Sequence, residues 1–361
     1  MNRKLAVQGV LSMVVGVVCV VYAVHGMDRQ AVLRALHELA PATVGLYLLT
    51  LAVTHLFRTL RWEYLLRALG TSLPFKRLLP ISSVGFMAIL ALPVRLGEFV
   101  RPYLVARERK VSMTTMVGAV AVERIVDGLL ISVLFFGAYL ASAGDLFSPQ
   151  LRAAAWLSLC GFLGLTIFLV AAQIWTDRAI AIALRLTLIT WLAPSKAEKA
   201  GEKIRSLISG FRALADRRNF SIFLAQSIVY WASIGFGMWI LARYMNLQIS
   251  FGAALVIMSF TGVVLSLPNS PGLVGQFHAA IKMGLSAYVP VAVVNSNGMA
   301  YAIVLHGLQT VWYIAIGLLC LPAVSRHGAH VSLAEAVRES THAAEAEEAG
   351  GEAAAGAGEP G

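Results

Sequence analysis

The sequence predicts an all-α polytopic membrane protein, with about six full spans and two re-entrant or broken helical hairpins. Three observations predict it. Of 361 residues, 58% are apolar and 13% are charged, against about 45–50% and about 25% in soluble domains. The apolar residues gather into runs close to the roughly 20 residues that cross about 30 Å of hydrocarbon. The basic residues gather between those runs, as cytoplasmic loops require.

Residues Leu5 to Val24 form the first run, behind Asn2-Arg3-Lys4. It is longer than a signal-peptide core and no small-x-small cleavage site follows, so it reads as a retained span with a cytoplasmic N-terminus. Further runs occupy 41–57, 78–94, 113–140, 152–175, 220–242, 251–268, 273–290 and 298–321. Arg58, Arg61, Arg67, Lys76 and Arg77 follow the run at 41–57, and Arg101, Arg107, Arg109 and Lys110 follow 78–94. Both clusters favour the cytoplasm, so the run between them is expected to enter and leave on that side. Pro93 marks its break and Gly97 permits the turn. The polar stretch 176–219 carries nine Lys and Arg from Arg178 to Arg218 and is expected to be cytoplasmic or interfacial. The loop Ser142–Leu151 has one Asp and no Lys or Arg, which suits the outside. The pair 251–268 and 273–290 then forms a second hairpin, opened from outside, through Pro268-Asn269-Ser270-Pro271-Gly272.

The two halves, about 41–140 and 220–321, thus follow the same order in opposite directions. Inverted repeats with interrupted helices at matching positions are a transporter feature. The membrane domain is read as 1–325. Residues 326–361 are read as a disordered Ala/Gly/Glu tail. From Val331 onward that tail has seven acidic residues and one Arg, leaving 28 basic and 12 acidic residues in the body. This excess orients loops against anionic lipid; a nucleic-acid partner is excluded because no polar basic domain exists to bind it. Cys19, Cys160 and Cys320 each sit within an apolar run and read as small hydrophobes.

A few charges fall at the breaks or within spans. Arg95, Glu98 and Arg101 recur every three residues and share a face if helical. Intramembrane charges are costly, so they read either as a cationic pocket for an anionic headgroup or as interfacial arginines reaching water. Glu123, Arg124 and Asp127 lie within an arc of about 100°. Arg124 can pair with either acid, which leaves two readings open, an ion cluster locking two helices or a pocket wall. At the second break, Pro268, Pro271, Gly272 and Gly275 precede His278, with Lys282 one turn later and His306 inside the last span. Each histidine reads either as a hydrogen-bonded structural residue or as a site residue.

The string Pro93-x-Arg95-x-Gly97-Glu98-x-x-Arg101-Pro102, then Glu123-Arg124-x-x-Asp127, then Pro268-x-x-Pro271-Gly272-x-x-Gly275 resembles the lysylphosphatidylglycerol synthase transmembrane-region family. The resemblance covers most of 5–321. It implies a flippase-like protein of the cytoplasmic membrane that moves aminoacylated phosphatidylglycerol, polyprenyl-phosphate-linked sugars or hopanoids. At His278 the family often has Glu, a departure that bears on proton or ion coupling there. Some members carry a C-terminal aminoacyl-transfer domain; the roughly 40 residues after Leu321 are too few and too polar to form one.

The leading expectation is therefore a translocator of a polar-headed, anionic or polyprenyl-phosphate-linked lipid. Arg95 and Arg101 would hold phosphate, and Glu98 with the Glu123-Arg124-Asp127 cluster would set the cavity's charge. Membrane lipids are its partners, and no cofactor or metal is implied. A membrane-embedded glycosyl- or lipid-transferring enzyme is the alternative, but the acids expected outside, Asp28, Glu38 and Asp145, form no catalytic or metal-spaced set. An accessory subunit of a lipid-modifying enzyme, docked through 176–219 or the tail, is a further one. No GxxxxGK[ST] motif offers direct ATP drive. Cysteines introduced near Arg101 and near Asn269 are expected to react with impermeant reagents from opposite sides of the membrane; same-side labelling removes the inverted repeat.

Overall fold

The computed structural model describes residues 3–92, 97–141, 149–186, 194–266 and 270–325. Among these, every regular element is helical. In chain order they are α1 (Arg3–Val24), α2 (Arg29–His37), α3 (Pro41–Ala68), α4 (Phe75–Ala91), α5 (Val100–Arg109), α6 (Met113–Ala141), α7 (Pro149–Ile174), α8 (Thr176–Leu186) and α9 (Pro194–Ser209). A 3-10 turn, Gly210–Leu214, leads into α10 (Arg217–Tyr244), α11 (Phe251–Val264) and α12 (Gln276–Leu285). The last, α13 (Val291–Ser325), contains a π-helical turn at Val294–Gly298.

Local chemistry sets the starts. Asp28, Asp216 and Ser250 precede α2, α10 and α11, and their side chains accept from the backbone N–H groups of Ala31, Asn219 and Ala253. Asp216 also accepts from the Asn219 side-chain amide at 2.7 Å, and these bonds hold its carboxyl below the usual range. Pro41 opens α3, where a missing N–H costs nothing.

Four helices among the described residues, Pro41–Ala68, Leu151–Ile174, Arg217–Tyr244 and Val291–Ser325, are long and apolar enough to cross a membrane. Helix α6 is as long, at 29 residues, but Glu123, Arg124 and Asp127 interrupt its apolar run. Large side chains face outward on these elements, Leu157 at 76% exposure and Leu319 at 75% among them. Such faces suit lipid, not water. Hydroxyls inside the spans turn back onto their own helices: Thr54, Thr59, Ser227 and Thr261 each donate to the carbonyl four residues earlier.

One expected boundary is corrected. The run at 41–57 does not end at Arg58; α3 continues to Ala68, and Arg61 and Trp62 are fully buried. Hydropathy stops at Arg58, whereas the helix goes on because Arg61, three residues later, meets carboxylates inside the bundle.

The most extensive helix pair is α3 with α10; α4 lies on α13, and α11 lies on α6. Side chains pack into two main cores. One joins the ends of α3 and α13 to α4, α5, the start of α6, and α8. The other joins the start of α3 to the end of α10, α11, α12 and the start of α13. The long helices pass through both, and a gap remains between them.

Both breaks need glycine for close approach. A Cβ on Gly97 would lie 2.2 Å from the carbonyl of Ala88, so the chain folds back directly onto the last turn of α4. Gly275 has φ +82°, and a Cβ there would lie 2.5 Å from the carbonyl oxygen of Gly16 in α1. Gly97→Ala and Gly275→Ala are each expected to lower the melting temperature in detergent by several degrees, as overpacking of about 1–3 kcal/mol should. Gly45→Ala, which meets nothing within 4 Å, should leave it unchanged; equal behaviour of all three would contradict this account.

Candidate functional site

The site begins at Arg61. It is fully buried, yet its guanidinium is satisfied on two sides. Nη1 and Nη2 donate to the two oxygens of Asp127 at 2.5 and 2.8 Å, and Nη2 also donates to Glu123 Oε1 at 2.7 Å. This fork-to-carboxylate geometry is the one guanidinium favours. Asp127 also accepts from the Trp231 indole N–H at 2.9 Å, and the other oxygen of Glu123 accepts from Arg101. Aromatic rings cover the cations: Arg61 lies 4.3 Å from the Tyr230 centroid and Arg101 lies 4.2 Å from that of Trp62. Helix spacing makes this possible. Glu123 and Asp127 are one turn apart on α6, and Ser227, Tyr230 and Trp231 share a face of α10. Two cations and two anions balance.

Beside this network lies a cavity of about 530 Å³, between the two cores. Arg58, Glu98, Arg124 and Asp127 line its charged part. Arg58 lies 3.9 Å from the Phe86 ring centroid. The Arg124 side chain is 37% exposed, and Nη2 stands 3.8 Å from Glu123. Two polar stripes extend from there. On α3, Tyr47, Thr50, Thr54 and Arg58 face the cavity; on α13, His306, Gln309, Thr310 and Tyr313 do. The stripes meet where Gln309 donates to the Tyr47 hydroxyl at 2.9 Å, and again where Arg58 meets Tyr313. From Tyr47 to Arg58 this polar lane runs about 16 Å along the helix axis. Met238, Met258, Ile131 and Phe162 supply apolar wall.

The second break is tied down beside the cavity. His306 Nε2 is 2.9 Å from the Gly272 carbonyl oxygen, and Gln276 donates to the Val264 carbonyl at 3.0 Å, capping α11. His278 packs edge-on against His306, with ring centroids 4.9 Å apart.

The residues singled out from sequence therefore divide. Glu98, Arg124, Asp127 and His306 line the cavity, with Gly272 bonded to His306. Arg101 and Glu123 lie behind the wall, in the ion network. His278 stands behind His306. Lys282 is placed elsewhere: its ammonium donates to the carbonyls of Tyr22, Ala23 and His25 at 3.2, 3.1 and 2.6 Å, and so caps α1. Pro271 opens a 3-10 turn at the break, and Gly97 and Gly275 make the close approaches described above. Pro93, Arg95 and Pro268 lie outside the described residues.

Sequence reasoning missed Arg58 and Arg61. The signal was present: Trp62, Leu65 and Leu66 continue an apolar helical face beyond them. It also paired Arg124 with either acid, whereas the approach of Arg124 to Glu123, 3.8 Å, is long beside the 2.7 Å of Arg61.

The fold and site define a class, a polytopic helical membrane protein with a charged, partly apolar cavity inside its bundle. The family model described as lysylphosphatidylglycerol synthase TM region matches residues 9–317, and the chain belongs to that family. It is also 23% identical over 348 residues to a protein named glycosyltransferase AglD from Haloferax volcanii, covering 87% of this chain and 53% of that one. The chain thus spans about half the length of that curated relative. No solved structure matches.

Replacing Arg61 with Ala leaves two buried carboxylates short of a partner. Breaking such a pair costs about 3–5 kcal/mol. Arg61→Ala is therefore expected to lose most of the folded, monodisperse protein in detergent, with Arg61→Lys intermediate. A melting temperature unchanged from wild type would show that the network does not hold the bundle.

Proposed function

We propose that the protein translocates a polar-headed, anionic lipid across the cytoplasmic membrane. The observation that carries this reading is the cavity itself, a polar lane along the helix axis with apolar walls inside a lipid-facing bundle. A headgroup would travel the lane while its chains stay in hydrocarbon.

In this reading α1, α3, α6, α7, α10 and α13 are full spans, α4–α5 and α11–α12 are the two broken hairpins, and both termini are cytoplasmic. The packing pairs support an inverted repeat. If α3, α4, α5 and α6 correspond to α10, α11, α12 and α13, then α4 on α13 corresponds to α11 on α6, and α5 on α6 to α12 on α13; all four pairs are in contact. The α3–α10 pair maps onto itself. Cavities at repeat interfaces are where such transporters bind substrate.

The relative's name raises a second reading, a glycosyl-transferring enzyme. Against it, Asp127 and Glu123 are both bound by Arg61 and are poorly placed to act as general bases.

The test is reconstitution in vesicles carrying a fluorescent phosphatidylglycerol analogue, with headgroup exposure read by a membrane-impermeant quencher. Arg124→Ala is expected to slow translocation at least tenfold while the protein elutes as wild type does. Wild-type rates in that variant, or no translocation above protein-free vesicles for any lipid offered, would overturn the reading.

A further inference from the structure

We infer that the cavity selects a lipid whose head is a phosphodiester bearing a hydroxyl-rich group, and discriminates against a head that ends in an ammonium, such as a lysyl group. The inference rests on the translocation reading for its biological sense, but its argument is one of charge and hydrogen bonding at the cavity wall.

The carboxylates come first. Both oxygens of Asp127 accept from Arg61, and one also from Trp231. Both oxygens of Glu123 are taken by Arg61 and Arg101. Glu98 lies in the field of Arg124. An entering ammonium would have to pull one of these away from a guanidinium. Counting Arg58, Arg61, Arg101 and Arg124 against Glu98, Glu123 and Asp127, the described charges around the cavity sum to one net positive. A second cation is repelled there, and low dielectric strengthens the repulsion.

The donors come next. Among the described residues no carboxylate lies in ion-pair distance of Arg58, which rests on the Phe86 face. Its Nε is buried without an acceptor, and so is Nε of Arg124. The Thr310 hydroxyl on the facing stripe is also unpartnered. Arg61 Nε and Arg101 Nη1 are also without an acceptor, but they lie behind the wall in the ion network. The N–H groups of Arg58 and Arg124 and the Thr310 hydroxyl belong to residues that line the cavity and call for oxygen acceptors there, and guanidinium prefers phosphate.

The lane beyond Arg58 sets the rest of the head. Thr50, Thr54, Tyr47 and Gln309 offer hydroxyl and amide groups, with Trp231 alongside. Thr50 and Thr54 give their protons to the carbonyls of Tyr47 and Thr50 and offer lone pairs, while the Tyr47 hydroxyl and the Gln309 amide keep a proton to donate. Together they bond a polyol as donor and acceptor, and none of them is an anion that would favour an ammonium. A phosphate held at Arg58 and Arg124 would therefore place its polyol toward Tyr47.

The shared chemistry could come from phosphatidylglycerol or from a polyprenyl-phosphate-linked hexose, and the experiment has an arm for each. The purified full-length protein is heated in detergent with short-chain phosphatidylglycerol, a short-chain polyprenyl-phosphate hexose, or short-chain lysyl-phosphatidylglycerol. At least one of the first two should raise the melting temperature, at a concentration at least tenfold lower than the lysyl lipid requires. Arg58→Glu should narrow or reverse that preference, whereas Arg58→Lys should keep its direction. Equal or stronger stabilisation by the lysyl lipid in wild type would overturn the inference, as would an unchanged preference in a folded Arg58→Glu. Fluorescent analogues of the same lipids in vesicles score the translocation reading separately. Movement of the lysyl lipid as fast as the others sinks the selectivity and spares translocation; binding preference without any movement does the reverse.

Discussion

Arg61 brings a full positive charge to a position with no exposure to solvent, and three helices have to meet around it. Taking such an ion out of water costs several kcal/mol, which is recovered only if the partners are close and well aligned. Asp127, Glu123 and Ser227 supply those partners from α6 and α10. The arrangement fixes the depth of α3 against both helices, because a slip by one residue would turn the guanidinium away from both acids. It also explains why α3 runs on to Ala68, past the point where hydropathy alone would stop it.

The same network determines which charges are left for the cavity. Arg61 and Arg101 are spent on Glu123 and Asp127. Arg58 and Arg124, their near neighbours in sequence, point the other way and line the space. On α3 the holding and facing charges, Arg61 and Arg58, are three residues apart; on α6 Glu123 and Asp127 hold, while Arg124 between them faces the space together with an edge of Asp127. The two roles are close in sequence but differ in burial, and burial is what a one-dimensional reading lacks.

This sets how much was legible. The apolar runs placed α1, α6, α7, α10 and α11 to within a few residues, because lipid imposes a length and a composition, while α13 begins seven residues before its run. The breaks at Gly97 and Gly275 were visible as Pro-Gly clusters, but not their physical need, which is backbone meeting backbone of another turn or helix. The spacing of Glu123, Arg124 and Asp127 marked a charged face. It could not say that an arginine 62 positions earlier would claim the acids. Lys282 was read by its nearness to His278, whereas α1, distant in sequence, offers the carbonyls that hold it. Local signals found the elements; partners brought by the fold decided the roles.

The segments at the two breaks, α4–α5 and α11–α12, are restrained by different forces. The first is tied through Arg101 to Glu123, inside a buried ion network. The second is tied by an imidazole on the Gly272 carbonyl, an amide on the Val264 carbonyl and, further along α12, the Lys282 ammonium on the carbonyls that end α1. A neutral hydrogen bond contributes about 0.5–1.5 kcal/mol net, while breaking a buried ion pair costs about 3–5 kcal/mol. The two therefore differ in where charge acts: at the first break it is a buried ion pair, whereas at the second the break itself is held by neutral bonds and the charge of Lys282 acts beyond it, on the end of α1. Among the described residues the Arg61 network has members on α3, α5, α6 and α10 and none on α12, so the charged wall keeps its register with α3 independently of how the second break is held.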